Sequence, residues 1–144
     1  MIEQDTVRLL RECDAGVQMG IASIEDVERF AEKEELKTCL RECKSEHQKL
    51  DREIQEQLAK FHDEGKNPNT MAKGMSWLKT NVKLSLDESD STVADLMTDG
   101  CNMGVKSLNK YLNEYEAADE VSKDIAKRLI KLEGQLAEDI RKFL

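Results

Sequence analysis

Apolar side chains return every three or four positions along nearly the whole chain, the spacing of a buried helix face. Val7, Leu10, Cys13, Val17, Ile21 and Ile24 form the first such stripe and predict a helix over about Asp5 to Val27. Leu36, Leu40, Cys43, His47, Leu50, Ile54, Leu58 and Phe61 form the most regular stripe and predict a second helix over about Glu34 to His62. The run Gly65-Lys66-Asn67-Pro68-Asn69 then breaks the pattern, as glycine and proline do. Met71, Met75, Leu78 and Val82, with Trp77 and Leu84 nearby, predict a short amphipathic helix within Thr70 to Leu86. A polar run from Asp87 to Thr92 offers caps for a third long helix, read to Tyr115 from Val93, Met97, Cys101 and Leu108. Val121, Ile125, Leu129, Leu132, Leu136, Ile140 and Phe143 predict the fourth, from about Asp119. Nothing alternates with period two for long enough to be a strand, so the fold class is all-α.

Connection lengths suggest the topology. The first and second long helices are joined within a few residues, as are the third and fourth, so each pair reads as an antiparallel hairpin. A long crossover, about residues 65–91, carries the short helix and separates the hairpins. One domain over 1–144, a four-helix bundle with one long crossover, is the arrangement of ferritin-like folds. The alternative is a simple up-down bundle with a fifth short helix.

An internal match supports two hairpins. Cys13-Asp14-Ala15-Gly16-Val17 and Cys101-Asn102-Met103-Gly104-Val105 share the pattern C-x-x-G-V, each in the first helix of its hairpin. Gly16 with Gly20, and Gly100 with Gly104, also have G-x-x-x-G spacing. A glycine inside a helix costs about 1 kcal/mol relative to alanine, so these glycines need a compensating reason. Close backbone approach of helices one and three is the plain one, and a subunit contact the sharper one.

On three stretches the chain resembles an uncharacterised bacterial family of ferritin-like four-helix proteins, a domain of unknown function. They are Cys13 to Val17, Gly65-x-x-Pro68 through Gly74-x-x-Trp77-x-Lys79, and Gly100-Cys101-x-x-Gly104. The resemblance implies the two-hairpin bundle and no reaction. The wider ferritin-like group would bring a di-iron or di-manganese centre, built from one Glu on each of two helices and Glu-x-x-His on the other two. Here Lys44 precedes His47 by three positions, Ala59 precedes His62 by three, and Glu133 is followed at that spacing by Leu136. The standard di-metal ligands are missing as written.

Composition excludes several classes. With 22 Lys plus Arg against 30 Asp plus Glu, the net charge is −8, which leaves no concentrated basic face for nucleic acid. The start, MIEQDTVRLLREC, is charged where a signal peptide would be apolar, and no window approaches a membrane span. With four cysteines in no dense framework, the expectation is a cytoplasmic protein with reduced thiols and no membrane partner.

The remaining chemistry lies in the thiols. Cys43 and His47 share a helix face, and counting around the first hairpin turn puts Cys13 within a turn of His47's height. Cys101 joins them if the internal match marks a pseudo-twofold axis. Cys13, Cys43, His47 and Cys101 are therefore a candidate metal set, for zinc or iron, since three thiolates and an imidazole are a known zinc combination. The plainer reading is core packing, because free cysteine behaves as a small buried hydrophobe and C-x-x-C spacing is absent. The functional expectation is a non-enzymatic bundle acting by self-association, as a homodimer, or by protein–protein interaction, with a stress-related role in view. The alternative is a metal-binding or redox protein using the Cys/His cluster.

Overall fold

The computed structural model describes residues 2–63 and 89–144. It contains α1 (Ile2–Glu28), α2 (Glu34–Lys60), α3 (Asp90–Glu114) and α4 (Glu120–Asp139), followed by a single 3-10 turn, Arg141–Phe143. Among the described residues there is no strand, so the chain is all-α. The short helix expected near 70–84 lies outside the described residues, as does most of the crossover. No described helix is long and apolar enough to cross a membrane.

The helix ends follow local chemistry. Ser89 caps α3 by accepting from the Thr92 amide at 3.3 Å, and Asp119 caps α4 by accepting from the Ser122 amide at 2.8 Å. The α2 terminus closes with a Schellman pattern: the Asp63 amide donates to the Leu58 carbonyl and the His62 amide to the Ala59 carbonyl. That geometry puts His62 in the left-handed region, φ 55°, where glycine is the usual occupant. The second stripe therefore stops at Lys60, two residues short of the sequence expectation.

Side chain to backbone bonds between hairpins set the helix directions. Asp90, the first residue of α3, accepts from the Glu32 and Lys33 amides at 2.6 and 3.2 Å, in the α1–α2 turn. At the other end Thr6 accepts from the Asp119 amide at 2.8 Å, and Asp5 from the Ala117 amide at 3.1 Å. α3 thus starts where α1 ends and finishes where α1 starts. α1 packs against α2 and α3, α4 packs against the same two helices, and α1 meets α4 across the bundle.

The core divides into two apolar clusters along the bundle axis. One holds Ile24, Leu40, Cys43, Met97, Cys101, Leu136 and Ile140, near the α1–α2 turn. The other holds Leu10, Cys13, Val17, Leu50, Leu108, Ile125 and Leu129, near the α3–α4 turn. Most stripe residues are buried as the periodicity requires, but Val121 is 49% exposed. It sits in the first turn of α4, where Ser122 and Ile125 are the buried residues.

Candidate functional site

Between the two apolar clusters each helix contributes one residue at the height where its stripe passes from one to the other. On α1 this is Gly20, between Val17 and Ile24, and on α3 it is Gly104, between Cys101 and Leu108. On α2 it is His47, between Cys43 and Leu50, and on α4 it is Glu133, between Leu129 and Leu136. The central layer of the bundle is thus two glycines and two polar side chains. His47 is 2% exposed and Glu133 7%.

The glycines make room for the polar groups. A Cβ built on Gly20 would fall 2.5 Å from His47 Nε2, and one on Gly104 would fall 1.8 Å from Glu133 Oε2. Both are shorter than any contact a real side chain tolerates. Close approach is therefore the reason for Gly20 and Gly104, but not the approach of the helix one and helix three backbones that the spacing suggested. The partners are side chains reaching over from α2 and α4, and not the α1 and α3 backbones meeting each other. Gly16 has ordinary contact with Leu129, and a Cβ on Gly100 would meet nothing within 4 Å.

A cavity of about 210 Å³ opens between α1 and α3 above this layer. Its walls are mainly apolar or small, including Met19, Met97, Met103 and Gly100, and its floor includes His47, Glu133 and Cys101. The carboxylic residues lining it are Glu12 and Glu133, and among the described residues its lining includes no Lys or Arg. Tyr111, also at the wall, is hydrogen-bonded to Glu12.

Hydrogen bonding fixes what the floor offers. His47 Nδ1 lies 2.8 Å from the Cys43 carbonyl oxygen, which can only accept, so Nδ1 carries the proton. In the neutral ring Nε2 is then an acceptor. It lies 4.0 Å from Glu133 Oε1, beyond hydrogen-bonding distance. His47 Nε2 and Glu133 Oε2 are both buried without a hydrogen-bond partner among the described residues. Each such group costs about 1–3 kcal/mol of lost hydration. Burial pushes the Glu133 carboxyl above its ordinary range, with the adjacent His47 opposing the shift.

The four residues singled out as metal ligands do not all meet. Cys43 Sγ lies 3.5 Å from His47 Nδ1, and Cys43 and Cys101 belong to the same apolar cluster. Cys13 belongs to the other cluster, beside Leu50 and Leu108. A helical turn of uncertainty in counting heights around the hairpins is enough to move a residue from one layer to the next. Among the described residues no group of three His, Cys, Asp or Glu side chains is placed to hold a metal ion. Nor does a di-metal centre fit the core, where among the described residues Glu133 is the one buried carboxylate in its layer. Burial pushes the Cys13 and Cys101 thiols up to about 12, with Glu12 and Glu133 respectively adding to it, and raises Cys43 as well. These thiols stay protonated at neutral pH and are poor nucleophiles or ligands. Cys39 is only partly buried and packs against the edge of the first cluster.

Glu133 escaped the sequence reading because Leu132, next to it, continued the apolar stripe. A signal was present: glycine on the stripes of helices one and three, and a polar residue at the matching stripe positions of helices two and four. Against known proteins the chain matches no family model, no curated protein and no solved structure.

Proposed function

We propose that this chain is a binding module, not an enzyme: a four-helix bundle that takes a small, mostly apolar molecule between α1 and α3. The observation carrying this reading is the pair of unpartnered, buried atoms, His47 Nε2 and Glu133 Oε2, on the floor of an apolar cavity. Ligand sites combine apolar walls with a few placed polar groups that orient the guest. A cavity near 150 Å³ already holds a benzene ring, so about 210 Å³ suits a ring with a short chain.

The test uses Gly100, whose Cβ direction is open. Gly100→Leu puts a Cβ in open space at the cavity wall, extends an apolar side chain from it and improves helix propensity. Titration of ethylbenzene and 2-phenylethanol, followed by amide chemical shifts, is expected to move Gly16, Gly20, Gly100 and Gly104 together. Gly100→Leu is expected to abolish saturation while raising the unfolding midpoint. Saturation that persists in the variant overturns the proposal.

A ferritin-like order of helices, as in the family resemblance, is part of the same proposal. It is supported by the Asp90 and Thr6 bonds, which make α2 and α3 run the same way. Self-association is a second reading, favoured by Met103, which is 50% exposed at the rim of the same cavity. A sedimentation measurement showing a dimer that Met103→Lys dissociates would support it, and a monomer at millimolar concentration would exclude it.

A further inference from the structure

We propose that the cavity floor receives a primary ammonium group carried on a small apolar body, so that the ligand class is a hydrophobic amine. This rests on the binding reading above and specifies the guest's polar head. The argument is one of donors and acceptors. His47 Nδ1 is already spent on the Cys43 carbonyl, so the neutral ring turns a lone pair, not a proton, toward the gap at Gly20. Glu133, when ionised, offers only acceptors, and its Oε2 is turned toward Gly104 without a partner. A guest must then bring N–H donors to both, and an ammonium brings three.

Charge points the same way. Glu133 is buried, the described residues lining the cavity include no Lys or Arg, and Glu12 is a second carboxylic residue at the wall. An anionic guest would meet like charge in a low-dielectric space, and a neutral alcohol could satisfy one acceptor but not the buried charge. Burial raises the Glu133 carboxyl, with His47 4.0 Å away opposing the shift, so a cation placed beside it would favour the ionised form. The ligand supplies that cation. The walls suit the rest of such a molecule: Met19, Met97 and Met103 are polarizable and adapt to a ring or short chain.

The experiment compares one body with four heads: 2-phenylethylamine, 2-phenylethanol, phenylacetate and ethylbenzene, each titrated into the full chain by calorimetry at neutral pH. Amine binding is expected to be about tenfold or more tighter than alcohol binding, the strength of one hydrogen-bonded charge, with phenylacetate weakest. Glu133→Gln, of nearly the same shape, is expected to erase that preference, and a preference that survives the substitution overturns the amine assignment. If 2-phenylethanol and ethylbenzene bind but the amine is no tighter, the amine assignment falls and the binding reading stands. If none of the four saturates the wild-type chain, both fall.

Discussion

Gly104→Ala tests the central layer most directly, because its two opposing effects can be sized separately. Replacing a mid-helix glycine by alanine gains about 1 kcal/mol of helix stability when the space is open. At Gly100 it is open, so Gly100→Ala serves as the baseline and is expected to stabilise by about that amount. At Gly104 the new methyl would lie 1.8 Å from Glu133 Oε2, 2.7 Å from its Cδ and 2.9 Å from Oε1. The whole carboxylate must move, and it is buried with His47 alongside. Overpacking of this kind costs about 1–3 kcal/mol. Gly104→Ala is therefore expected to fall below Gly100→Ala by about that amount, making it neutral to destabilising overall. In a Glu133→Ala background the obstacle is gone, and Gly104→Ala should recover the full gain of about 1 kcal/mol. Urea unfolding followed by far-UV circular dichroism of the four chains completes a double-mutant cycle, with an expected coupling of about 1–3 kcal/mol. A Gly104→Ala chain as stable as Gly100→Ala, with no coupling to Glu133, would refute the claim that this carboxylate presses on α3.

Two other outcomes follow from the same structure. His62 holds a left-handed φ at the α2 Schellman terminus, so His62→Gly is expected to stabilise by about 1 kcal/mol in urea unfolding; a lower midpoint would contradict the assigned terminus. Burial also predicts an alkaline weakness: Cys13 and Cys101 ionise near 9.0 when unfolded and only at about 12 when folded, so the native state holds the extra protons. Their contribution is intact below pH 9 and is lost as pH rises toward 12, at about 1.4 kcal/mol per pH unit for each thiol. Cys13→Ala should flatten the stability–pH slope by one such share between pH 9 and 10.5 under reducing conditions, and an unchanged slope would show that Cys13 is not buried.

The sequence alone determined the helices, because a helix needs only its own periodicity and caps to be legible. The stripe from Leu36 to Leu58 and the polar run that supplies the cap at Ser89 are local facts, and the structure places them as the spacing requires. His47 was also visible as a polar residue on an apolar face, and the glycines were visible as an unexplained cost. What paired them was not. Which residue of α4 stands opposite His47 depends on how the hairpins are shifted along their axes, and one turn of shift replaces Glu133 by an apolar neighbour. The same uncertainty joined Cys13 to Cys43 and His47 on paper, while the packed bundle places Cys13 among Leu50 and Leu108 instead. The choice between Leu132 and Glu133 as the inward residue had a similar basis: both lie near the edge of the α4 stripe, so only the neighbouring helices decide which one is buried. Helix formation is set by interactions a few residues apart, whereas the polar layer exists only when four separate helices come to one register, and that is decided by tertiary packing.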